Sequence, residues 1–172
     1  MARLQDVLLN QFSAANSTLD FTIHDLSMEQ LHHIAEGATI GSPASIYFHV
    51  SVVEDMVVSV YLKGGPILYD AGNWGEVIPT TQPHRGPSSM EWARTIRYDN
   101  MQGVRAYVAA VREQTKTYIE SLTDEDFDRQ IDFFTGPTAQ VNVLTWLAWN
   151  TANHTGEIAA IRGLSGMKGL PY

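Results

Sequence analysis

Cysteine is absent from this 172-residue chain. That excludes a disulfide framework, a thiol nucleophile and a thiolate metal site, and it suits a reducing compartment. Positive charge is sparse: 11 Lys and Arg stand against 19 Asp and Glu, a formal net charge of -8, and the basic residues are scattered. Such a field repels phosphate backbones and excludes a general nucleic-acid binder. No stretch reads as the ~20 uninterrupted apolar residues of a membrane helix. The start, MARLQDVLLNQF, lacks the apolar core and small-residue cleavage pattern of a secretory signal. Together these absences predict a cytoplasmic protein with no membrane partner. A P-loop, a Gly-rich dinucleotide turn and a Ser in a nucleophile-elbow context are missing as well. What is present is a 44% hydrophobic composition, enough for one packed domain over residues 1–172.

The hydrophobic residues recur at helical spacing. Leu4, Val7, Leu8, Phe12 and Ala15 predict a first helix over about residues 3 to 17. Ser27 with Gln30 is a capping-box start for a short helix ending near Gly37. Ser42-Pro43 is a stronger start, because Ser caps free amides and Pro loses nothing in a first turn. From there Ile46, His49, Val50, Val53, Val57 and Val60 form one stripe, and Gly64-Gly65-Pro66 stops it. Residues 63 to 88 are rich in Gly and Pro and predict a long surface connection, with Ser88 and Glu91 restarting a helical turn. A third long helix carries Val104, Tyr107, Val108, Val111, Thr115, Tyr118, Ile119 and Leu122. A short turn at Thr123 to Asp126 and a break at Gly136-Pro137 precede the last helix, over about residues 139 to 164. Its stripe is Leu144, Leu147, Ala148, Thr151, His154, Ile158 and Ile161, and the tail GMKGLPY packs back on the fold. The expected class is all-α: a four-helix bundle with one long crossover between its second and third main helices, plus short extra helices.

Two of the six histidines fall on inward stripes, His49 and His154; the others, His24, His32, His33 and His84, fall in loops or on a short helix. A long crossover lets the second and third main helices run parallel, which sets the fourth antiparallel to the second. His49 is then about 9 Å of rise past Pro43, and His154 about 15 Å short of its helix end, so the two imidazoles meet at similar depth. Facing helices are a common place to build a metal site, and imidazole is the commonest ligand. The third position, one turn before His154, is Asn150, with good spacing and a weak amide donor. Glu157 is a better donor on a neighbouring face, while Glu54 and Asp55 turn away from the His49 stripe. The competing reading is two core histidines bonded to neighbouring groups. Trp146 and Trp149 suit a core or a dimer interface.

The segments SIYFHVSVVEDMVV, ESLTDEDFDRQIDFF followed by Gly-Pro and a Thr, and NTANHTGEIAAIRGLSGMKGLPY resemble, in that order, the signatures of the DinB-like (YfiT-like) superfamily. The resemblance implies a four-helix bundle, often a homodimer, with a divalent metal such as zinc or nickel held by three side chains. His49 and His154 match two ligand positions and Asn150 matches the third, where most metal-binding members carry His and one thiol-dependent isomerase branch carries Glu. Members with known activities act on small-molecule substrates as transferases and isomerases that use a low-molecular-weight thiol, or as metal-dependent hydrolases. Two expectations follow: a metal-dependent enzyme of this type, or a non-catalytic dimeric bundle with a degenerate site that binds a small ligand or serves as an interaction module. The sequence does not name the substrate.

Overall fold

A computed structural model of the chain describes residues 3–78, 82–84, 89–134 and 136–171. The described residues form helices α1 (Leu4–Ile23), α2 (Met28–His32), α3 (Pro43–Met56), α4 (Leu68–Ala71), α5 (Trp74–Val77), α6 (Met90–Thr95), α7 (Met101–Glu120) and α8 (Gln140–Leu164). A π-helical segment, Val57–Leu62, continues α3. Strands β1 (Gln130–Phe133) and β2 (Gly136–Ala139) pair antiparallel, with Ile131 opposite Thr138.

The starts obey capping chemistry. Ser27 and Gln30 make the reciprocal capping box at α2, and Ser42 accepts the Ser45 N–H at α3 with Pro43 in the first turn. The expected restart at Ser88 lies outside the described residues; α6 begins instead at Met90, with the Ser89 side chain accepting the Trp92 N–H. Three expectations on boundaries are corrected. The short second helix ends at His32, where His33 turns to extended backbone, and not near Gly37. The first helix continues past residue 17 to Ile23, because Leu19, Thr22 and Ile23 are buried against the core. The Gly136-Pro137 break is the turn side of a β-hairpin rather than a plain loop, Gly136 supplying φ +103°.

The four long helices are α1, α3 with its π extension, α7 and α8. α1 packs on α8 and α7, and α3 packs on α7 and α8. One core cluster joins the C-terminal halves of α1 and α8 to the N-terminal halves of α3 and α7 (Leu19, Phe48, Tyr107, Ile158). A second joins the opposite halves (Leu8, Val57, Ile119, Leu144). Thus α3 and α7 run parallel, α1 and α8 run the other way, and the crossover must span the bundle. By length and composition the 20 residues Pro43–Leu62 pass for a membrane span, but 78% of their apolar 18-residue window is buried inside the protein. It is the central core helix.

Asp55 anchors the crossover. Its Oδ1 accepts from the Ser59 hydroxyl at 2.8 Å and the Leu68 N–H at 2.7 Å. Its Oδ2 accepts from the Tyr69 N–H at 2.9 Å and the Tyr107 hydroxyl at 2.8 Å. Both oxygens are saturated, so the fully buried carboxylate ties α3, α4 and α7 together. The tail also packs back as expected: the buried Arg162 guanidinium donates to Lys168 O and to Asp25. Hydrogen bonds to a charged group contribute about 1.5–3 kcal/mol each. Asp55→Ala should therefore lower unfolding stability by at least about 4 kcal/mol, or roughly 10 °C in Tm. Asp55→Asn should not rescue it, because an amide NH2 would face two of the four donors. Urea and thermal denaturation measure both.

Candidate metal centre

His49 lies on α3 and His154 on α8, and their ring centroids are 5.1 Å apart at an interplanar angle of 87°. Both side chains are partly buried. Two imidazoles on one ion, each nitrogen about 2.1 Å from it, put their ring centres roughly 5 Å apart. The expected convergence of these two histidines is therefore present.

The rings are held differently. His154 Nδ1 contacts Glu157 Oε2 at 2.6 Å. In the neutral ring the Nδ1–H donates to this carboxylate, and Nε2 keeps its lone pair. A carboxylate behind a ligand histidine is the usual way to fix its tautomer and raise its basicity. Glu157, considered as a donor from the sequence, is thus engaged as the partner of His154. His49 Nδ1, by contrast, is buried with no hydrogen-bond partner among the described residues. An orphaned ring nitrogen of this kind costs about 1–3 kcal/mol unless a ligand meets it. Burial above all, with a smaller push from the neighbouring His154, lowers the His49 pKa to about 4, which keeps the ring neutral and its lone pair free near neutral pH.

A cavity of about 140 Å³ opens on both rings, bordered also by Ser45, Trp92 and Glu157. The Trp92 ring sits 6.1 Å from His49, edge to face, and His84 stacks on Trp92 at 5.7 Å. Asn150 lies on α8 one turn before His154, half-buried, and is not among the residues bordering the cavity. The structure therefore brings together His49 and His154 but leaves Asn150 at the margin. Among the described residues no group of three or more His, Asp or Glu side chains is placed to hold an ion, in keeping with an amide at the third position. The two imidazoles and the orphaned nitrogen fit a borderline divalent ion; the third donor is weak. Ser45 was not singled out from the sequence, although its spacing, one turn before His49, could have found it. Trp92 and His84 come from the crossover and carried no such signal. His32 is accounted for structurally: its Nε2 accepts the Tyr98 N–H, so its Nδ1–H donates to Met28 O. Glu54 and Asp55 do turn away from His49, the former onto Thr115 and the latter onto the crossover.

A bundle with two converging histidines near one end of its core defines the class, and comparison names it. The profile of the DinB superfamily matches residues 11–158. The chain belongs to that superfamily. No curated protein matches it. A crystal structure of a conserved protein from Enterococcus faecalis is similar, with a TM-score of 0.83 and 19% sequence identity, covering 95% of this chain and 98% of that one. At that identity the likeness speaks for the fold.

The His49 ring gives a pH dependence with a definite sign. Its folded pKa, about 4, lies below the unfolded value of about 6.5, so on acidification the unfolded chain takes the proton first. The metal-free protein should lose stability as pH falls from about 6.5 to 4, by a total on the order of 3 kcal/mol. Chemical denaturation with a chelator present, at stepped pH, should show this slope in the wild type and its loss in His49→Phe.

Proposed function

We propose that the protein is a DinB-type divalent-metal enzyme in which His49 and His154 hold a zinc or nickel ion, with Asn150 as a weak third donor or an anchor for bound water. The observation that carries this reading is the pairing of a Glu157-oriented imidazole with a second, buried imidazole whose Nδ1 has no protein partner. A divalent ion held there supplies positive charge that makes water or a low-molecular-weight thiol a better nucleophile near neutral pH. The protein's own part is to orient, desolvate and enclose. Glu157 takes the Nδ1 proton of His154 in a hydrogen bond and leaves Nε2 as its donor. Burial keeps His49 unprotonated, and Trp92 walls the small cavity from one side. A volume of about 140 Å³ admits a water, a thiol head or one end of a substrate, not a whole large ligand. The substrate class thereby narrows to small molecules, or to the tip of a larger one, in a transferase, isomerase or hydrolase reaction.

The weak amide also favours a second reading, a non-catalytic bundle that kept the cavity and lost the ion. The two readings part on metal content. On the enzyme reading, tag-free protein loaded with zinc or nickel and dialysed should keep about one equivalent per chain, and His154→Ala should keep almost none. Asn150→His should tighten binding by at least about tenfold, some 1.4 kcal/mol, as read by competition with a chelating dye. A content near zero that is unchanged in His154→Ala supports the second reading and contradicts the first.

The chain is further proposed to form a homodimer through α1 and α8. Trp149 on α8 is 59% exposed and borders a shallow groove with Ala14 and Ala15 of α1 and Ala152 of α8. A large exposed indole beside small apolar residues is the composition of an interface rather than of a solvated face. Light scattering at micromolar concentration should give twice the chain mass, and Trp149→Glu should shift it toward the monomer. A wild-type monomer refutes the dimer.

A further inference from the structure

A second polar site lies on a different wall of the bundle. On α3, Glu54 is five positions after His49, which turns it roughly 140° around the helix, away from the two histidines. It is 3% exposed, and what remains exposed borders a groove of about 590 Å³ between α1 and α7. That groove is apolar on its α1 and α7 flanks, with Leu9, Phe12 and Ile119, and polar along its rim, with Ser13.

The charges lining this groove do not balance. It contains three carboxylates, Asp20, Glu54 and Glu113, and two cations, Arg112 and Lys116. Arg112 is committed to Asp20 through two hydrogen bonds of 2.7 and 2.9 Å. Lys116 sits 4.0 Å from Glu113 and 3.9 Å from Glu120. Glu54 forms no ion pair among the described residues; burial raises its pKa by more than the charge of Arg112 lowers it. Its Oε1 meets the Thr115 hydroxyl at 2.6 Å, and that hydroxyl is also 3.1 Å from Val111 O. No described residue bonds its Oε2. A hydroxyl has one hydrogen, so the empty groove is satisfied by a protonated Glu54 donating to Thr115, which passes its own hydrogen to Val111 O. Burial accordingly raises the Glu54 pKa. A buried acid without a partner is costly to keep ionised, and a nonpolar side chain would fill the position without that cost.

We propose that this groove is a ligand site for a small organic cation, a primary ammonium or amidinium group on a short apolar body, whose charge is met by Glu54 while the body lies against Phe12, Leu9 and Ile119. The excess of acidic over basic residues favours cations at such a mouth. The site is independent of the histidine centre, so it stands whether or not that centre binds metal.

The probes are benzamidinium and hexylammonium, each paired with a neutral counterpart, benzamide and hexanol, titrated into the 15N-labelled full chain. The cations should bind saturably and shift the amide signals of Phe12, Ser13, Thr115 and Ile119, and the neutral counterparts should bind at least about tenfold more weakly. Glu54→Gln should weaken the cations by a similar factor, and Ser13→Trp, a change at an exposed rim residue, should block both. Equal binding of charged and neutral probes, full binding by Glu54→Gln, or shifts confined to the signals of His49 and Trp92 would overturn the proposal. If Glu54→Gln does not fold, the charged-against-neutral comparison and Ser13→Trp decide it alone.

Discussion

Helix α3 is enclosed on almost every side, and this is the constraint from which the rest follows. Pro43 through Phe48 and Val50 through Asp55 are all buried. Water cannot satisfy the polar groups on such a helix, so each must find a partner within the protein or leave a cost behind. Ser45 and Ser51 bond back to carbonyls of their own helix. Ser59 and the crossover amides converge on Asp55. Glu54 reaches Thr115 on α7. Among the described residues, His49 Nδ1 is the side-chain atom of this helix that is wholly closed off and has no hydrogen-bond partner. That atom is the reason the proposed ligand centre is set at the histidine pair.

The same enclosure explains why three neighbouring polar residues of one helix have three separate roles. Successive positions on a helix point about 100° apart, so His49, Glu54 and Asp55 look into different parts of the bundle. Asp55 meets the start of the crossover and serves stability. His49 meets α8, where His154 is already braced by Glu157. Glu54 meets the α1–α7 groove. One central helix thus supplies a structural anchor and two chemically distinct openings, and superfamily membership, which fixes the fold, leaves open how each opening is used.

Much of this was legible in the sequence. The four long helices, the parallel run of α3 and α7, the long crossover and the convergence of His49 with His154 all follow from stripes, caps and one long Gly- and Pro-rich connection. Those signals are local, and the pairing of helices follows from loop length. What escaped depends on contacts between distant segments. The extension of α1 to Ile23 is held by burial of Leu19 and Ile23 rather than by any local stop signal. The hairpin of β1 and β2 is only four residues per strand, too short for alternation to stand out. Trp92, with His84 stacked on it, reaches the histidine cavity through the fold of the crossover, which has no period to read.

The central claim is that His49 and His154 act as one ligand centre. Histidine ring 15N signals followed during a zinc titration test it most directly. The account predicts that the His49 and His154 rings move together at the same metal concentration, with the Nε2 signal of His154 changing and its Nδ1 staying hydrogen-bonded to Glu157, while His24, His32 and His33 stay in place. Rings 49 and 154 that never respond, or that respond no sooner than those three histidines, would contradict it.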